Sequence, residues 1–120
     1  MSTVLIVDDV RSDRELVGKV VTAAGHVAEY AADGEEAVTK ARTLHPALVL
    51  LDVVMPKLDG FGACRRLKRE PETAAIPVVL VTAKASETDQ FWGRKQGADD
   101  YIVKPFTPDQ IRKLIQRYAR

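Results

Sequence analysis

Five short apolar runs, each followed by a stretch of different periodicity, restrict this chain more than any other feature. The runs are Val4–Val7, Val27–Ala31, Leu48–Leu51, Val78–Val81 and Tyr101–Val103. Between and after them, apolar residues recur at helical spacing. Leu16, Val17, Val20, Val21 and Ala24 form one stripe, and Ala37, Val38, Ala41 and Leu44 a second. Phe61, Cys64 and Leu67 form a third, and Ile111, Leu114, Ile115 and Tyr118 the last. Runs this apolar on both faces suit strands of a parallel sheet with neither face wet. Parallel neighbours need crossover connections, and helices after each strand supply them in the right-handed sense. The expected fold is therefore α/β, a doubly wound five-stranded parallel sheet with five helices covering both faces.

The helix boundaries are marked by local chemistry. Ser12 with Glu15 three residues on matches a capping box, and Asp33 with Glu36 repeats the spacing with an aspartate cap. Thr107-Pro108-Asp109-Gln110 adds proline at the first helical position. Gly25 and Gly97 stand where left-handed C-terminal caps belong. A fourth helix is predicted over roughly 86–96, with Phe91 and Trp92 inside it.

At 120 residues the chain is long enough for one domain, 1–120, with its own core and no disulfide or structural metal. Lys and Arg total 18 against 17 Asp and Glu, so a net charge of +1 offers no global case for nucleic acid. The one cysteine, Cys64, excludes a disulfide framework and suits a reducing, cytoplasmic setting. No apolar run approaches the roughly 20 residues needed to cross a bilayer, and no signal peptide precedes Val4, so membrane insertion is not expected.

The chemistry lies at the carboxyl ends of the apolar runs, where doubly wound sheets bind ligands. Asp8 and Asp9 close the first run, Asp52 the third, Thr82 the fourth and Lys104 the fifth. Carboxylates at the ends of buried strands are costly unless a cation offsets them, so three acids and a lysine there describe a magnesium and phosphoryl pocket. The plainer reading of Asp8 and Asp9 alone is a solvated turn whose charges favour the next helix N-terminus. Their coincidence with Asp52 and Lys104 argues for a site. Asp59, Asp99 and Asp100 read as turn residues and caps. His26 and His45 have no partner pattern, and Cys64 falls on an apolar stripe as a buried thiol. Trp92 suits either core packing or a partner surface. Arg65-Arg66 with Lys68-Arg69 reads as a solvated helix face, with partner docking left open.

Together these segments resemble the receiver domain of two-component response regulators, in particular the single-domain chemotaxis (CheY-like) type. The carriers are Val7-Asp8-Asp9, Leu51-Asp52-Val53-Val54-Met55-Pro56 followed by Asp59-Gly60, Val81-Thr82-Ala83, and Asp100 through Phe106. The resemblance covers the whole chain and implies the flavodoxin-like strand order 2-1-3-4-5. It implies that Asp52 is the phosphoacceptor, attacking phosphorus in the phosphohistidine of a histidine kinase or phosphotransfer protein. It also implies Mg²⁺ held by Asp8, Asp9, Asp52 and the main-chain carbonyl of Val54, because Mg²⁺ prefers oxygen donors and keeps several waters. Lys104 and the Thr82 hydroxyl would then meet the remaining phosphoryl oxygens. Thr82 and Tyr101 would form the switch, Tyr101 swinging inward to alter the surface of the fourth helix, fifth strand and fifth helix for an output target. The resemblance further implies a cis peptide between Lys104 and Pro105. By the same resemblance, Val54 and Lys84 would occupy positions that tune phosphate lifetime; Val54 cannot orient an attacking water, and Lys84 could pair with the phosphoryl group.

The stretch from Glu87 to Ala98, with Trp92-Gly93 and Gln96-Gly97-Ala98, is similar to regulators of type IV pilus and twitching-motility systems. The expectation is a monomeric switch that catalyses only its own phosphoryl transfer and slow dephosphorylation, with output through its own surface. A phosphate sink or relay without an output target is the alternative within the family. A haloacid-dehalogenase-like phosphohydrolase would need an acid at position 54, where Val stands. A flavodoxin-like flavin binder would not place Asp8-Asp9 against a flavin phosphate.

Overall fold

The computed structural model describes residues 1–119. Ten elements alternate along it: β1 (Thr3–Val7), α1 (Arg11–Ala23), β2 (Val27–Ala31), α2 (Gly34–Leu44), β3 (Leu48–Leu51), α3 (Gly60–Arg69), β4 (Val78–Thr82), α4 (Glu87–Lys95), β5 (Asp100–Val103) and α5 (Pro108–Tyr118). All strand pairings are parallel, and the order is β2-β1-β3-β4-β5, as expected.

Successive strand residues point to opposite faces, so each apolar run serves two cores. Leu5, Val7, Val49, Leu51, Val78 and Leu80 pack under α2 and α3 with Ala37, Val38, Ala41, Ala63, Cys64 and Leu67. Val4, Ile6, Leu48, Leu50, Val79 and Val81 pack under α1 and α5 with Val17, Val20, Val21, Ile111, Leu114 and Ile115. This two-sided burial is why the central runs carry no polar alternation. The exception is β2, an edge strand with Val27 and Tyr30 exposed, because only β1 pairs with it and its outer edge has no neighbour. Leu16, Ala24 and Leu44 likewise fall outside the buried stripes of α1 and α2.

Most caps form as the sequence predicts. Asp33 accepts from the Glu36 N–H while the Glu36 carboxylate accepts from the Ala32 N–H. Thr107 and Gln110 make a reciprocal capping box, with Pro108 opening α5. Gly25 and Gly97 take φ of +88° and +100°, the left-handed region that glycine enters without a Cβ penalty. The Ser12 box does not form. Helix α1 starts two residues earlier than that cap implies, at Arg11, with Val10 at its N-cap and no side-chain cap. The first turn is set instead by Asp8: its carboxylate accepts from the Val10 N–H at 2.9 Å, and its carbonyl accepts from Arg14 at 2.7 Å. Glu15 is therefore free to pair with Arg11.

Helix α4 is the most lightly seated. Its buried position is Gly93, where a Cβ would come within 2.8 Å of Leu80 and 3.0 Å of the Tyr101 ring. The glycine of the Trp92-Gly93 pair thus lets the helix approach β4 and β5, while Phe91 and Trp92 remain 59% and 51% exposed.

Candidate phosphoryl and metal site

Parallel strands place their carboxyl ends on one rim, and the predicted residues meet there. Asp8, Asp9 and Asp52 each offer an oxygen within 4.8 Å of the others. Asp8 and Asp52 are buried, at 6% and 7% exposure, and Asp9 is exposed. The Lys104 ammonium bonds Asp8 Oδ2 at 2.7 Å and Asp52 Oδ2 at 3.0 Å. Asp52 Oδ1 accepts from the N–H groups of Val53 at 2.7 Å and Val54 at 3.4 Å. These bonds hold the carboxylate at the start of the β3–α3 loop. Gly60 makes the loop fit: its N–H donates to the Val53 carbonyl at 2.8 Å, and a Cβ there would lie 2.1 Å from the Asp52 carbonyl oxygen.

The electrostatics follow from burial. Desolvation pushes the Asp8 carboxyl above its ordinary value, and the bonds from Lys104 and the Val10 N–H only partly oppose it. Burial works against the Lys104 charge, but bonds to Asp8, Asp13 and Asp52 outweigh it and hold its pKa above the usual lysine value. One ammonium thus faces more negative charge than it can neutralise. Three hard oxygen donors with two of them shielded from water suit a small divalent cation such as Mg²⁺.

Asp13 was missed by the sequence reading. It lies in the first turn of α1, and its Oδ2 accepts the third Lys104 hydrogen bond at 2.9 Å. The available signal was its helical position five residues past Asp8, which becomes decisive only once β5 is known to lie on the same sheet as β1 with β3 and β4 between them.

Thr82 is fully buried at the end of β4, its Oγ1 accepting a long 3.4 Å bond from the Lys84 N–H. Tyr101 is already inward at 7% exposure, its hydroxyl donating to the Lys84 carbonyl at 2.7 Å. The Lys84 ammonium lies 3.8 Å from Asp89 on α4, so its charge is engaged with that helix. Val54 is 59% exposed at the pocket rim. The Lys104–Pro105 peptide is cis. Asp59 caps α3 through the Gly62 N–H, and Asp99 accepts from the Val78 N–H and pairs with Lys68. Cys64 is buried, its thiol donating to the Gln96 carbonyl at 3.6 Å, and burial pushes its pKa up to about 12. His26 accepts from the Ser2 N–H, and His45 caps α2.

A doubly wound sheet of this order with acids and a lysine gathered at its strand ends defines a receiver architecture. The chain belongs to the response regulator receiver domain family, whose model matches residues 4–116. It is similar to the protein PilH of Pseudomonas aeruginosa, 43% identical over 96% of this chain and 95% of that protein. It is also 43% identical to the probable transcriptional regulator ycf27 of Cyanophora paradoxa, over 98% of this chain and 48% of that protein. The chain thus spans about half the length of the ycf27 relatives it matches. Among solved structures, chemotaxis protein CheY4 of Vibrio cholerae superposes with a TM-score of 0.91 at 34% identity, covering 98% of both chains. No helix among the described residues is long and apolar enough to cross a membrane.

Proposed function

We propose that this chain is a phosphorylation-dependent switch in a two-component or chemosensory relay, with Asp52 accepting the phosphoryl group. The observation that carries the reading is the convergence of Asp8, Asp9, Asp52 and the Lys104 ammonium at one sheet rim. The donor is the phosphohistidine of a histidine kinase or phosphotransfer protein. An Asp52 oxygen forms a bond to phosphorus as the phosphorus–nitrogen bond breaks, and the electron pair leaves with the imidazole. The product on the chain is an acyl phosphate.

Asp8, Asp9, Asp52 and the Val54 carbonyl would hold Mg²⁺, which would supply charge neutralisation for that transfer. Lys104 exchanges a carboxylate partner for a phosphoryl oxygen, and the Thr82 hydroxyl gives up its long bond to Lys84 for another. The chain catalyses only this transfer and the slow hydrolysis of its own product.

Output passes through α4, β5 and α5. The Tyr101 ring already sits inward beside Gly93, so phosphorylation acts by weighting this arrangement rather than by creating it. A coupling of about 1–3 kcal/mol would suffice for such a shift. The light seating of α4 suits it to respond. A monomeric cytoplasmic regulator of a type IV pilus or twitching system is the more specific reading, supported by the likeness to PilH and by the Trp92-Gly93 and Gln96-Gly97-Ala98 pattern.

The test is intact-mass measurement after incubation with acetyl phosphate and Mg²⁺, beside Asp52→Ala and a chelated sample. One phosphoryl adduct that requires both Asp52 and Mg²⁺ is expected. An adduct that persists in Asp52→Ala would place the chemistry elsewhere.

A further inference from the structure

The seam between α3 and α4 carries two adjoining depressions of about 500 and 440 Å³. Arg65, Trp92 and Gln96 line both, which makes them one groove. Its floor is fixed: the Cys64 thiol donates to the Gln96 carbonyl, and Lys68 bonds the Ile76 carbonyl and Asp99 at 2.8 Å each. The groove is therefore preformed, with about half of the Trp92 side chain left in water.

The cations around it differ from those elsewhere. Most described lysines and arginines hold a carboxylate or a carbonyl. Those with neither partner among the described residues are Lys19, Arg65, Arg69, Arg94 and Lys95. All but Lys19 stand on α3 and α4, and Arg65, Arg69 and Lys95 line the groove itself. In a chain of net charge +1, this concentrates the uncompensated positive charge on one seam.

We propose that the α3–α4 groove docks an acidic peptide segment of a protein partner, with an apolar side chain of that segment seated against Trp92. Free guanidinium groups present paired donors to carboxylates, and tryptophan and arginine are the side chains that most often dominate protein interfaces. A small inorganic anion would use the charges and leave the indole idle. A peptide alternating acids with an apolar anchor uses both. One end of the groove is lined by Met55, Lys57, Leu58 and Asp59 of the β3–α3 loop; the proposal rests on the seam's own cations and Trp92 and not on the phosphorylation reading.

Trp92 is the one tryptophan in the chain, so its fluorescence reports directly on the groove. The full chain would be titrated with a synthetic octapeptide of glutamates around one Leu and one Phe. The comparison probes are the same peptide with lysines for glutamates, inorganic phosphate and an oligothymidylate. A saturable Trp92 response to the acidic peptide alone is expected, weakening with salt. Arg65→Glu with Arg69→Glu should weaken it about tenfold or more, and the milder Arg65→Gln by a smaller factor, with the circular dichroism spectrum retained. No response, an equal response to the lysine peptide, or unchanged affinity in folded Arg65→Gln and the double variant would overturn the proposal. Saturation by phosphate or oligothymidylate at lower concentration than the acidic peptide would overturn it in favour of a different anion.

Discussion

The strand-end pocket and the α3–α4 seam handle charge in opposite ways. In the pocket every ammonium hydrogen of Lys104 meets a carboxylate, and the acids still outnumber the cation. Along the seam, Arg65, Arg69, Arg94 and Lys95 pair with no acid among the described residues, although Asp59 lines the same groove, and an aromatic ring stands exposed beside them. Burial explains the difference. At 16% side-chain exposure, Lys104 would be costly without partners, whereas cations on an exposed helix face are solvated and need none. On the proposed reading, the pocket serves a reaction that rearranges bonds it already makes. The seam has interactions still to gain.

Removing the pocket's cation should break this contrast most severely. In Lys104→Ala the buried carboxylates Asp8 and Asp52 lose their shared partner, so the chain should lose about 2–4 kcal/mol of stability without Mg²⁺. Urea unfolding with and without Mg²⁺ checks this, and the ion should restore much of the loss. Phosphoryl transfer in the variant should fall about 100-fold.

Cys64 tests how firmly the seam's floor is closed. Its pKa is raised from 9.0 to about 12 by burial, so the unfolded thiol ionises before the folded one. The stabilisation is complete below pH 9.0 and is lost as pH rises toward the folded value. Between pH 9 and 10.5, wild type should lose roughly 1–2 kcal/mol more than Cys64→Ala. Paired urea titrations measure this, and an equal pH dependence would show the thiol is reached by solvent.

Two smaller effects sharpen the account of the pocket. Val54→Asn places a hydrogen-bonding group at the exposed rim, where it can orient an attacking water, and should speed loss of the phosphoryl group several-fold. A time course of the phosphorylated mass would decide it; an unchanged or slower rate would remove Val54 as a lifetime determinant. Asp13→Asn frees one Lys104 hydrogen and removes a negative charge near the incoming phosphoryl group. Acceptance from acetyl phosphate should rise about two- to threefold, read from initial rates of adduct formation. A slower variant would mean that Asp13 orients Lys104 rather than competing for it.

Much of this was legible locally. The alternation of apolar runs with helical stripes announced both layers of helices, and the ends of those runs announced Asp8, Asp9, Asp52, Thr82 and Lys104. The failures share a cause. Ser12 had the spacing of a cap, but the turn after β1 is set by the Asp8 carboxylate and carbonyl, so the helix begins before Ser12. Val27–Ala31 had the composition of a buried strand, yet its place at the sheet edge leaves Val27 and Tyr30 in water. The 3.8 Å approach of Lys84 to Asp89 on α4 was likewise set by helix packing and not announced by sequence position.

The sequence by itself determined the order of elements, the two-faced burial of the central strands and the identity of the strand-end residues. Each follows from periodicity and from the cost of burying charge, both of which act within a few residues. Only the tertiary structure decided that Asp13 shares Lys104 across 91 positions, that the Tyr101 hydroxyl reaches the Lys84 carbonyl, and which cations remain without partners. Those outcomes depend on how helices seat against the sheet. That is a property of packing between distant segments, which no local pattern encodes.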